Sequence, residues 1–145
     1  MLKISSEQIR IFQPDAEEAF VQRTAEYLRK NHPDSEVYLL QKKFKVAEIS
    51  NDFLFQAVRS GIKHAQNFGI SWKSTLLSFV VLMFLTAPNF FEYPKAESFL
   101  QQTETIDDEK FESFLEIMTD EDWEQVEANY DEKVWNLPVV EGEKI

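Results

Sequence analysis

The sequence predicts an all-α fold: one domain, a bundle of about five or six helices around a buried central helix at residues 72–87. Three observations carry this expectation. Between Leu76 and Leu85 only Ser78 is not apolar, so a helix there has no side for water and belongs in a bundle centre or a membrane. Lys73 and Pro88 bound the run, which leaves fewer than the roughly 20 apolar residues a membrane span needs. Finally, the flanking segments repeat apolar residues at three- and four-residue spacing, and no stretch alternates as a half-buried strand does.

Taken in order, Ser5 or Ser6 begins a short first turn that reaches about Phe12. Pro14 then opens a helix over residues 14–31, at the position where its missing N–H costs nothing. Asp15, Glu17 and Glu18 start this helix and Arg29 and Lys30 end it, as the helix dipole favours. Ala16, Phe20, Thr24, Tyr27 and Leu28 share its inner face. Asn31-His32-Pro33 stops it, because the residue before proline avoids helical angles.

Residues 35–49 carry no clear period. Glu36 to Leu40 fits a short helix or an extended piece, and Lys42-Lys43-Phe44-Lys45 reads as a solvated turn. Ser50 or Asn51 caps a helix over residues 51–68, with Leu54, Ala57, Val58, Gly61, Ile62 and Ala65 on one face. A glycine in mid-helix costs about 1 kcal/mol against alanine. The expected reason at Gly61 is close approach of the central helix. Gly69 supplies a left-handed cap and Ser71 caps the central helix. After Pro88 comes an aromatic loop, Asn89-Phe90-Phe91-Glu92-Tyr93, and Pro94 starts a short helix through Leu100. Asp107 or Asp108 caps a helix to Met118, with Phe111, Phe114, Leu115 and Met118 inside. Thr119 caps the last helix, whose inner stripe is Trp123, Val126 and Tyr130. The helical domain is taken as residues 1–130. Residues 131–145 are taken as a C-terminal tail that Val134, Trp135 and Leu137 could pin in part.

The net charge of -11 is unevenly placed. Residues 1–100 hold 12 Lys/Arg against 11 Asp/Glu, whereas residues 101–145 hold 3 Lys against 15 acids. Such an end repels nucleic acid and anionic membrane. It is either a solvated face or a surface for a basic protein partner. There are no cysteines, which excludes a disulfide framework and thiolate chemistry. The first residues lack a basic start and apolar centre, so the expected compartment is the cytoplasm.

No pattern of catalytic, metal-ligating or cofactor-binding residues stands out. The two histidines, His32 and His64, sit in no motif, and the three glycines form no phosphate cradle. The expectation is therefore a non-enzyme with no cofactor, no metal and no nucleic acid, whose partner is another protein. The candidate partner-binding residues are Phe90, Phe91 and Tyr93 in the aromatic loop, Asp120, Asp122 and Glu124 at the acidic end, and Trp135. The aromatic loop either tucks beneath the bundle or faces a partner.

One pattern goes further. Phe53 to Ile70, with Arg59, the Gly61-Ile62 pair and Phe68-Gly69-Ile70, is followed by Leu82-Met83-Phe84 and Pro88-Asn89-Phe90. This resembles a group of small all-helical bacterial proteins found beside type VI secretion spike and effector components. Phe20-Val21 and Tyr27-Leu28-Arg29 match the first helix of that group. The resemblance covers about residues 5–94, and Asn89 stands where the group's loop often has an acid. It implies an accessory, adaptor or chaperone role in loading a secreted effector or spike component. The alternative is an immunity protein whose acidic C-terminal helices neutralise a cognate toxin.

Overall fold

The computed structural model describes residues 14–137. Among these are six α-helices: α1 (Pro14–Asn31), α2 (Asn51–Asn67), α3 (Lys73–Leu85), α4 (Pro94–Gln102), α5 (Asp108–Ile117) and α6 (Asp120–Ala128). Short 3-10 turns cover Val46–Glu48, Phe90–Glu92 and Glu132–Trp135. An antiparallel hairpin, β1 (Glu36–Leu39) with β2 (Lys42–Lys45), links α1 to α2. The fold is the helical bundle that the periodicity predicted, with this hairpin added. The expected first turn, up to Phe12, lies outside the described residues. No helix among the described residues is long and apolar enough to cross a membrane.

The apolar run forms α3, and Leu76, Phe79, Val80, Met83 and Phe84 are buried along it. Its closest neighbour is α2, which presents Leu54, Ala57, Val58, Gly61, Ile62 and Ala65, all buried. The position a Cβ would take at Gly61 is 3.0 Å from Met83 Sδ and 3.1 Å from Val80 Cγ2. Gly61 thus faces the central helix, as expected, and a branched side chain there would crowd Val80 and Met83. Ser50 caps α2 by accepting the Phe53 N–H at 3.3 Å. Gly69, at φ 82°, turns the chain back toward α3. The cap of α3 is Trp72 rather than Ser71: the extended Trp72 backbone marks the boundary, and its carbonyl accepts the Leu76 N–H at 2.8 Å.

Aromatic rings extend this core toward the C-terminal helices. Phe79 lies 4.9 Å from Phe90, 5.7 Å from Phe91 and 6.3 Å from Phe111, centre to centre. Phe114 continues the chain to Phe90 at 6.0 Å and to Trp123 at 6.3 Å. Such pairs add about 0.5–1.5 kcal/mol each beyond the area they bury. The loop that carries Phe90 is fixed by buried Asn89. Its Nδ2 donates to the Asn129 carbonyl at 2.9 Å and its Oδ1 accepts the Asp131 N–H at 3.0 Å. An amide makes both bonds, donating with its nitrogen and accepting with its oxygen.

Two expectations are corrected. Residues 36–45 are a hairpin, and Lys42 to Lys45 form its outer strand rather than a turn. Leu40 and Gln41 make its two-residue turn with φ 51° and 68°, angles usually taken by Asn-Gly. The turn is held from outside, because the Glu132 carboxylate accepts the Gln41 N–H at 2.8 Å. Residues 131–137 belong with the helical domain rather than a tail, and the pinning allowed for at Trp135 is what holds them. Trp135 is 1% exposed and its ring lies 4.6 Å from that of Phe84. The phenol of Tyr130 accepts the Tyr38 N–H at 3.0 Å. A large ring entering an open side of the core outweighs the polar residues around it. Residues 138–145 lie outside the described residues.

Two substitutions test this packing. Gly61→Val should lower unfolding free energy by about 1–3 kcal/mol in urea titration, since overpacking outweighs the helix-propensity gain. Asn89→Asp should cost about 1–3 kcal/mol at pH 7, because it sets a buried acceptor against the Asn129 carbonyl. Wild-type midpoints would refute either assignment.

Candidate functional site

The predicted partner-binding residues fall into two groups. Phe90, Phe91 and Trp135 are buried and serve the core. They present no surface, because each fills space left beside α3. Tyr93 and Asp122 are half-buried and bonded to each other, whereas Asp120 and Glu124 are exposed.

Asp122 is a structural carboxylate. It closes a capping box at the start of α6: Thr119 Oγ1 accepts the Asp122 N–H at 3.1 Å and Asp122 Oδ2 accepts the Thr119 N–H at 2.8 Å. The same carboxylate accepts Lys95 Nζ at 2.7 Å and the Tyr93 hydroxyl at 2.7 Å. The Lys95 bond above all, then the Thr119 N–H and the Tyr93 hydroxyl, hold its pKa well below the usual carboxylate range. For the same reason the Tyr93 phenol is pushed up, by its bond to Asp122 first. Asp122 thereby ties the start of α4 to the start of α6.

The other acids of α6 are differently placed. At 100° per residue, Asp120, Glu121, Glu124 and Glu127 share the face opposite buried Val126, and all four are exposed. Asp120 and Asp122, both candidates at the acidic end, point to different sides of one helix. The helix itself contains no Lys or Arg. Asp120/Glu124, Glu121/Glu124 and Glu124/Glu127 are like-charge neighbours at three or four residues, each unfavourable by about 0.2–0.5 kcal/mol. Glu127, in the last turn, also opposes the helix dipole. Exposed Ile117 precedes this face at the end of α5.

A second surface was not foreseen. The central helix is not sheathed on every side. Leu85 is 44% exposed, Ser78 is exposed, and Leu77, Val81 and Leu82 are half-buried. With Tyr27 of α1 and Leu115 of α5, they line a groove of about 220 Å³. Tyr27 (40% exposed) and Leu115 (38%) were expected inside the bundle. They line the groove beside α3 instead. An apolar run gives this no sequence signal, because covered and uncovered sides read alike.

Two of the larger concavities lie away from this groove. One, of about 560 Å³, lies beside the hairpin turn, where Glu132 is engaged by Gln41. The other, of about 510 Å³, is lined by Arg59, Ser60, Lys63, His64 and Lys133, among others. Ser60 Oγ (3.0 Å) and His64 Nε2 (2.9 Å) both meet the Val134 carbonyl, so the imidazole acts as a donor there. Its ring packs 4.9 Å from Phe91. Arg59 pairs with Glu18 of α1. These groups pin residues 132–136 and α1 against α2.

Since its folded pKa is lowered, Asp122 adds stability above the ordinary carboxylate range, and that contribution disappears as pH falls through the lowered value. Asp122→Asn should therefore be less stable than wild type at pH 7, with the gap narrowing from about pH 5 to pH 2. Parallel stability–pH curves would contradict this role. No family model matches the chain, and no curated protein or solved structure matches it.

Proposed function

We propose that the chain is a non-catalytic protein-binding component, an adaptor or chaperone for a type VI secretion effector. The observation that supports this reading is the outer face of α6. Asp120, Glu121, Glu124 and Glu127 stand exposed on one side of a nine-residue helix, at a local cost in repulsion. A helix selected for stability alone would mix charges there. A basic segment of a partner relieves the repulsion, and adjacent exposed Ile117 gives it an apolar foothold. The rigid attachment of α6, through the Asp122 box and the Phe114–Trp123 contact, keeps this face preformed. Preformed charge favours fast, salt-sensitive association. The link to secretion rests on the resemblance in residues 5–94.

The same face also favours the second reading. Four carboxylates in a row imitate a polyanion and would fill the basic cleft of a nuclease-like toxin, as an immunity protein does.

Removing the protein from its host separates the two readings. Loss of effector secretion with survival intact supports the adaptor. Death of sibling cells with secretion intact supports immunity. At the molecular level, Glu124→Lys with Glu127→Lys should weaken binding of a basic partner at least tenfold at low salt. It should leave stability unchanged or raise it by about 0.5 kcal/mol, because repulsion is relieved. Undiminished binding would return the face to a role in solubility.

A further inference from the structure

The concavity between α2 and the 3-10 turn at Glu132–Trp135 gathers positive charge in an acidic chain. The chain holds 26 Asp and Glu against 15 Lys and Arg. Yet no Asp or Glu is among the described residues that line this space of about 510 Å³. Arg59 and Lys63, one helical turn apart on α2, and Lys133 on the facing turn supply its cations. Gln56, Asn67 and Asn136 add amides, which donate as well as accept. Glu18 pairs with Arg59 but does not line the space. Glu132 precedes Lys133 and is turned away, where it accepts the Gln41 N–H. Lys63 and Lys133 are exposed and form no ion pair among the described residues. The dipole of α2 accounts for a base near its C-terminal end, such as Lys63. It does not account for Arg59 at mid-helix or for Lys133 on another element.

We propose that this concavity binds a phosphate group, either the free ion or the ester of a small molecule. Glu18 offsets the charge of Arg59, so Lys63 and Lys133 leave two positive charges on the lining. A phosphate monoester carries about -1.5 to -2 charges at pH 7 and three strong acceptor oxygens. It therefore matches two ammonium groups, whereas a carboxylate matches one. Hydrogen bonds from ammonium groups to phosphate are charge-assisted and are the strong ones. The backbone of the site is already in place. Ser60 Oγ and His64 Nε2 meet the Val134 carbonyl at 3.0 and 2.9 Å, which fixes the turn carrying Lys133 against α2. The volume lies within the roughly 300–1,000 Å³ of small-molecule sites, so an organic group fits beside the phosphate. The net charge of -11 repels an anionic membrane, so the ligand is a solute rather than a lipid headgroup. No residue of α6 lines this space, and this proposal and that for the acidic face can fail independently.

Isothermal titration calorimetry of the full chain at constant ionic strength tests it, with inorganic phosphate, glycerol 3-phosphate and acetate as probes. Both phosphates should bind saturably with dissociation constants of about 0.1–1 mM, and acetate at least tenfold more weakly. A smaller constant for glycerol 3-phosphate assigns the site to an organic phosphate, and equal constants assign it to the free ion. Lys63→Gln with Lys133→Gln should raise both phosphate constants at least tenfold. Lys42→Gln with Lys110→Gln removes the same charge elsewhere and should leave them unchanged. Circular dichroism should show both variants folded, since all four lysines are exposed. Absence of saturable phosphate binding up to about 10 mM overturns the proposal. So does acetate binding as tightly as phosphate, a Lys63/Lys133 variant that binds like wild type, or an equal loss in the Lys42/Lys110 variant.

Discussion

A helix whose last ten residues, Leu76 to Leu85, hold one polar side chain must be largely covered, and the rest of the molecule answers to that constraint. α2 covers most closely, because Gly61 lets its backbone settle against Val80 and Met83. The aromatic loop and α5 cover the Phe79 side. Trp135 covers Phe84, and the Ser35 hydroxyl donates to the Phe84 carbonyl at 2.9 Å near the end of the helix. Burial of each large side chain contributes about 1.5–3 kcal/mol. The order of these contacts therefore decides where the polar segments can run.

Several short segments far apart in the chain are fixed by single side chains. Arg29 donates from Nη2 to the Ile49 carbonyl and to Asn51 Oδ1, both at 2.8 Å, and so joins the end of α1 to the start of α2. Asn89 joins the aromatic loop to residues 129–131. Tyr130 and Glu132 hold the hairpin through its own N–H groups. Burial pushes the Tyr130 phenol up, against the opposing Tyr38 N–H. These bonds satisfy backbone donors that a two-stranded sheet leaves open.

The acids of the C-terminal third divide by what they touch. Asp108 accepts Ser74 Oγ and Thr75 Oγ1, each at 2.6 Å, and Asp122 gathers Lys95, Tyr93 and the Thr119 N–H. Those two acids join elements together. Asp120, Glu121, Glu124 and Glu127 stand exposed on α6, and Glu112 and Glu116 are exposed on α5. One composition thus serves both internal fastening and outward charge. The two outward surfaces differ in chemistry: one is carboxylate-rich, and the other is an apolar strip along α3.

The sequence by itself determined the helical class, the central helix, the α2 stripe with its glycine and most of the helix caps. These follow from local periodicity, from capping chemistry and from the length of an apolar run, all of which act within a few residues. It did not announce the hairpin, because Leu40-Gln41 lacks a turn signature and is held by Glu132, ninety-one residues away. It allowed that Trp135 pins part of residues 131–137 but not how deeply, and it did not show that Asp120 and Asp122 have different tasks. Tertiary structure alone decided which side of α3 stays open. An apolar residue reads the same whether a distant part of the chain covers it or not, and Leu85, inside the apolar run, is 44% exposed.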